Sequence, residues 1–401
     1  MKNPCGKWFG AVGLLLVAFL LPVARPGWFA GPLFAEFAPG QWAARALLLL
    51  AIPALAWAAL QGRQLGAGEK LGAGFLALVC AGAGEVIHHA VVDPGHYFGV
   101  AYFADNTAWQ IFLHEKVMRL DPAALPHSYR FLPDSIEAVF TWLTGSFLFS
   151  RSANRLLFEA LWFVAAYRYA RVYLSSLYSG GVVLVLAALY PISILNYAGQ
   201  PIDPASHLSF AVCLFCLARG YEPAFGPSLL VGVFCKESIV VMPLCRAFAG
   251  PSRRRALLLS AVYLAGVVAV AFGIRYVVNR HVSLSMINRV HPGHRWANVA
   301  AYREWGPLYL ASLGALLPGA VLGWKRMDRS FQVSCVLILF TLLGSSFVYS
   351  WLAEVRNLVP AFLPLAVVNL RYLETVFGVP PGATPASGPL ASTGLRPDRP
   401  G

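Results

Sequence analysis

The chain has 401 residues, of which 58% are hydrophobic and only 12% charged, with a formal net charge of +13. So little charge over so much apolar sequence excludes an ordinary soluble domain, because the apolar runs recur at about the length a bilayer core requires. The surplus Lys and Arg sit in short loops, as membrane orientation demands, and no nucleic-acid module accompanies them.

The expected fold is all-α, a polytopic transmembrane helical bundle of about 11 to 13 spans with interfacial helices in a long first outer loop. Candidate spans are 8–24, 43–60, 71–91, 153–173, 181–199, 203–219, 226–248, 256–278, 306–324, 331–350 and 357–374, and 134–150 is a weaker one. The first two fall in an N-terminal part, 1–70. Its opening, "MKNPCGKWFG", looks like the start of a signal peptide, but the apolar run ends in "PVARPGW" without a small-residue cleavage site, so it is read as a retained span. Residues 71–374 form the expected core, with outer loops at 92–155 and 279–305. The tail 375–401, rich in Pro, Gly, Ser and Ala, has nothing to bury and is expected to be disordered. Of the 7 cysteines, most lie inside apolar runs, including Cys213 and Cys216 of "CLFC", and they read as small packing residues rather than as disulfide partners or a redox pair.

Basic clusters set the orientation. Lys2 and Lys7, Arg63 and Lys70, Arg253 to Arg255, Lys325, Arg326, Arg329 and Arg371 mark the cytoplasmic side, which places both termini there and the segment 92–133 outside. The middle threads in two ways. Either 134–150 lies on the outer surface and 226–248 is a pair of half-helices meeting at Lys236 and Glu237, or both segments span fully. The first is preferred, because it leaves Arg168, Arg171 and Arg219 on the cytoplasmic side and gives the adjacent charges of "CKES" a polar cavity in place of lipid. The loop 275–303 is basic yet is forced outside, which points to an anionic ligand or to anionic headgroups.

On the outer side this threading collects Asp93, Asp105, Arg130, Asp203, Lys236, Glu237, Glu354 and Arg356. A cavity with both signs of charge at a membrane face suits a substrate that is part lipid and part phosphate, since Arg binds phosphate oxygens with two parallel hydrogen bonds. Glu354 and Arg356 are two apart, so on a regular helix they would not face each other. Glu159, set among apolar residues, is expected to face the bundle interior and pair with an arginine. Glu85, His88 and His89 are the nearest approach to a metal cluster, but without a clear fourth ligand they read as helix-end polar residues, and no metal ligands are assigned.

Four motifs, "YRFLP" after the long outer loop, "DP" opening a span, "CKES", and "EVRNLVPAFLP" near the end, resemble those of bacterial integral-membrane proteins of the glycosyltransferase C superfamily. The resemblance covers roughly 71–374; the two spans in 8–60 precede the point where such a core begins. It implies a multi-pass protein of the bacterial inner membrane that takes a sugar from a polyprenyl-phosphate donor and passes it to a lipid or glycan acceptor at the outer face. Membrane lipids are then its surroundings, a divalent metal is admissible, and no other cofactor is implied. It also implies an acidic base in the first outer loop, which falls on Asp105 of "ADNTAW", ahead of Arg130, in preference to Asp93 of "DPGHY". One base suffices, because a phosphate departs as an anion without acid assistance. The other seven residues are assigned to substrate binding. Two further readings stay open: a transporter or flippase of a lipid-linked or anionic solute, since broken helices with mid-membrane charges also serve transport, and a non-catalytic assembly protein of the same fold.

Overall fold

The computed structural model describes residues 67–92, 110–194, 202–279 and 293–377, apart from 126 and 251. The N-terminal spans 8–24 and 43–60, Asp93, Asp105 and the tail lie outside the described residues. Every regular element described is helical: α1 (Ala67–Val92), α2 (Phe131–Thr144), α3 (Phe147–Ala170), α4 (Ser176–Ile194), α5 (Ile202–Arg219), α6 (Glu222–Cys235), α7 (Val241–Arg246), α8 (Arg253–Asn279), α9 (Gly293–Ala300), α10 (Tyr302–Gly323), α11 (Arg329–Tyr349) and α12 (Val359–Val376). Short 3-10 turns at Glu237–Val240 and Val355–Leu358 lead into α7 and α12, and a further helical stretch covers 110–118.

Among the described residues, five helical segments are long and apolar enough to cross a membrane: Ile202–Arg219, Arg253–Asn279, Tyr302–Arg326, Arg329–Tyr349 and Val355–Val376. Helix α8 shows what their outer surfaces are suited to. Leu257, Leu258, Val262, Phe272, Tyr276 and Val277 are exposed along it, an apolar face that water would penalise and lipid would not. Inside, Trp162, Phe163, Phe210, Phe225 and Phe362 are almost completely buried.

Ion pairs and hydrogen bonds fix which helix ends lie together. At one end Glu69 of α1 accepts from Arg171 after α3 (2.6 Å), and the Ser175 amide ahead of α4 donates to Glu374 of α12 (2.9 Å). At the other end, Asp203 at the start of α5 meets Lys236 after α6 and Arg356 before α12. Helix α8 reaches this second end too, where Asn279 donates to the Tyr129 hydroxyl (2.5 Å).

Two segments called from sequence take a different form. The stretch 134–150 is not one helix: Gly145 adopts φ 70°, which only glycine tolerates easily, and Ser146 starts α3 by accepting the Phe149 amide (3.4 Å). Helix α3 therefore begins at Phe147, inside the expected loop 92–155, and α2 doubles back along its first turns, with Asn154 donating to the Pro133 carbonyl (3.3 Å). Likewise α9 and the first turn of α10 occupy part of the expected loop 279–305.

The segment 226–248 is a hairpin of two helical limbs. Helix α6 stops at Cys235, Lys236 is extended (φ −163°, ψ 128°), and the return limb brings Arg246 to 2.5 Å from Glu222, where α6 began. The limbs touch at Gly232, where a β-carbon would lie 2.7 Å from Cγ1 of the fully buried Ile239. Gly232→Ala is therefore expected to cost about 1–3 kcal/mol, as overpacking of a filled core does. A lowered unfolding midpoint in detergent checks this, and an unchanged one would mean the limbs separate freely.

Candidate functional site

The second end of the bundle holds a connected set of charges. Asp203 stands in the first turn of α5, where the free amides and the helix dipole favour a carboxylate. Its Oδ2 accepts from Arg356 Nη1 at 2.7 Å and its Oδ1 from Lys236 Nζ at 3.1 Å. Lys236 reaches it because the chain leaves the helix at that residue, and Nζ also donates to Asn357 Oδ1 at 2.5 Å. Arg356 Nη2 continues to Glu354 Oε2 (3.1 Å), which also accepts from the Ser350 hydroxyl (3.0 Å) and Asn357 Nδ2 (3.3 Å). His207, one turn into α5, shares a hydrogen bond of 3.2 Å with the Arg356 carbonyl.

A second arm starts at Glu237. Its Oε2 accepts from Arg130 Nε at 3.0 Å, and its Oε1 lies 3.7 Å from Arg275 Nη2. The Arg275 guanidinium sits 5.3 Å over the Tyr129 ring. The two arms differ in access. Side-chain exposure is 7% for Asp203 and Arg356 but 20% for Arg130, 22% for Glu237 and 32% for Arg275. The Glu237 arm is thus the more open of the two and the Asp203 arm the more enclosed.

Six residues assigned from sequence, Arg130, Asp203, Lys236, Glu237, Glu354 and Arg356, meet in this network; Asp93 and Asp105 lie outside the described residues. One detail is corrected. Glu354 and Arg356 do pair, because 351–354 is not helical and a 3-10 turn follows, which removes the helical spacing that would have separated them. Lys236, for which the sequence called for polar surroundings, is engaged by Asp203 and Asn357. Asn357, Ser350, His207 and Arg275 were not anticipated. His207 follows Asp203 by one helical turn and Asn357 stands inside the "EVRNLVP" motif, so both were within reach of spacing arguments.

Polar groups of α2, α3 and the helical stretch 110–118 form a separate cluster beside this network. Ligand atoms of His114, Asp134 and Glu137 all lie within 4.8 Å of one another, which makes them the described residues best able to hold a divalent metal. Protein groups compete for the same lone pairs. His114 Nδ1 is 3.1 Å from Asp134, and Arg151 bridges Glu137 (3.4 Å) and Gln110 (2.6 Å). The adjoining space, about 10 Å³, holds at most a water. Glu85, His88 and His89 fall in the last turns of α1, where the side chains lie outside the described part. Glu159 has the partner expected for it: Arg155 Nη2 lies 3.8 Å away, and the Tyr190 hydroxyl donates to it at 2.6 Å.

His127, on the loop facing this cluster, has its pKa pushed down from 6.5 to about 4, first by burial and then by the Arg130 charge. The unfolded chain thus takes up a proton near pH 6.5 that the folded chain refuses until about pH 4. Stability from this group is present in full above about pH 6.5 and is lost as pH falls toward 4. His127→Gln should flatten the unfolding midpoint over that interval, and an equally steep acid limb in the variant would count against it.

Compared with known proteins, the chain matches no family model, no curated protein and no solved structure.

Proposed function

We propose that this chain is a membrane glycosyltransferase that moves a sugar from a polyprenyl-phosphate-linked donor to a lipid or glycan acceptor at the outer face of a bacterial inner membrane. The observation that carries the reading is a charge imbalance. Arg130, Lys236, Arg275 and Arg356 face only Asp203, Glu237 and Glu354 in the two arms. The weakest pair, Arg275 with Glu237 at 3.7 Å, is also the most open, so the surplus positive charge lies where a phosphate can reach it.

In the proposed reaction an acceptor hydroxyl oxygen bonds to the anomeric carbon as the bond from that carbon to the phosphate oxygen breaks. The bonding electrons leave on the phosphate, and Arg130 and Arg275 meet the charge that develops there. The hydroxyl proton passes to Asp105, assigned as base by its place in the outer-loop motif. Gln110, held by Arg151 at this end of the bundle, follows it closely in the chain. Asp93 is the lesser candidate.

The direct test gives the purified protein a polyprenyl-phosphate sugar donor and a mixed pool of membrane lipids and glycans. Release of polyprenyl phosphate with transfer of the sugar is expected. The hairpin of α6 and α7 is also what a transporter uses, so uptake of the donor into vesicles with the sugar still attached would replace this reading with that one.

A further inference from the structure

The opposite end of the bundle contains a cavity of about 490 Å³, and its lining includes Tyr169, Tyr173, Arg219, Ser330, Phe331 and Ser334. It is remote from the charge network. Asp203 and Arg219 lie near opposite ends of α5, about 24 Å apart at 1.5 Å per residue.

The cations at this end divide into two kinds. Arg171 is held by Glu69 (2.6 Å) and Arg246 by Glu222 (2.5 Å). Arg168 and Arg219 have no carboxylate within ion-pair distance among the described residues. Arg168 is only 5% exposed, and its Nη1 is buried without a hydrogen-bond partner. Its guanidinium stacks 5.4 Å over Phe215 and is close enough to feel the charge of Arg219. Two guanidiniums near each other, one of them buried, are costly to hold without a counter-charge. The acids in the cavity wall are turned to other groups: Glu222 accepts from Arg246 and the Tyr263 hydroxyl, Asp328 accepts the Phe331 amide as the cap of α11, and neither lies within ion-pair distance of Arg168 or Arg219.

We propose that this cavity binds a phosphate-bearing ligand, with Arg219 in its wall as the counter-charge, the buried Arg168 guanidinium adding its charge from outside the lining, and the aromatic walls of Tyr169, Tyr173 and Phe331 around the rest of the molecule. The volume falls within the usual range for small-molecule sites, so the ligand is more than a bare ion. A phospholipid headgroup and a soluble phosphate ester share this chemistry. The site is independent of the reaction proposed above, since none of its residues belongs to that network.

The test measures the unfolding midpoint of the full chain in a non-ionic detergent against dihexanoyl phosphatidylglycerol and, separately, against inorganic pyrophosphate at constant ionic strength. A saturable rise with the lipid alone identifies a headgroup site, and one with pyrophosphate identifies a soluble phosphate ligand. In either case Arg219→Gln should weaken the apparent affinity by about tenfold or more, the scale of one charge-assisted hydrogen bond. Arg168→Gln should weaken it less, because Arg168 does not line the cavity, while keeping or raising the unliganded midpoint, since it removes an unpaired buried charge. No saturable rise with either probe, or the same rise in Arg219→Gln as in the parent, overturns the proposal.

Discussion

Arg356→Met is expected to lower the unfolding free energy by about 3–5 kcal/mol, the range for breaking a buried ion pair from one side. Arg356 is the only described cation that contacts both Asp203 (2.7 Å) and Glu354 (3.1 Å). All three side chains are mostly buried, so removing the guanidinium leaves Glu354 without a cation and Asp203 with Lys236 alone, where water reaches little of either. Lys236→Met is the informative comparison. Asp203 then keeps Arg356, and the main loss is the hydrogen bond to Asn357, so the expected cost is about 1–2 kcal/mol. Denaturation midpoints of both variants in one detergent check this. Adding Glu354→Gln to Arg356→Met should restore part of the loss by removing the carboxylate left without a cation. Equal destabilisation by the two single changes, with no recovery in the double variant, would mean that the cost is lost packing and that the network is not what holds α5 to α12.

The same two positions show how far the sequence could be read. Most of the helices follow from apolar run length alone, because a bilayer-length apolar segment has few other ways to satisfy its backbone. The break at Lys236 was legible for the same reason: adjacent charges inside an apolar run need a polar partner, and Asp203, Asn357 and Arg130 provide it. The pairing of Glu354 with Arg356 was not legible, since it depends on 351–354 leaving the helix, and neither run length nor hydropathy reports that. The division of 134–150 at Gly145 was missed because one left-handed residue redirects a chain whose composition on both sides stays apolar. Arg275 was read only as one of several loop arginines. Its place beside Glu237 comes from the length of α8, which carries it back to the hairpin.

Asp105→Asn is expected to reduce sugar transfer by about 100- to 10,000-fold, the usual contribution of a general base, while leaving the protein folded and inserted. The amide keeps the size and hydrogen-bonding reach of the carboxylate but cannot take the acceptor's proton. The network's own acids are poor alternatives. Asp203, Glu237 and Glu354 each accept from a cation at 2.7–3.1 Å, which occupies the lone pairs that a base would use. Glu137 is the strongest rival, because burial raises its pKa despite the opposing Arg151 charge, and a raised pKa suits a base. Its side chain is fully buried, however, and a base has to touch the hydroxyl it deprotonates. Asp93→Asn should be milder than Asp105→Asn. Donor turnover by the three variants, Asp105→Asn, Asp93→Asn and Glu137→Gln, separates the possibilities, with circular dichroism and detergent-phase elution as checks on folding. If Asp105→Asn turns over like the parent while Glu137→Gln is folded and inactive, the base belongs to the α2 cluster and the assignment to the outer-loop motif is wrong.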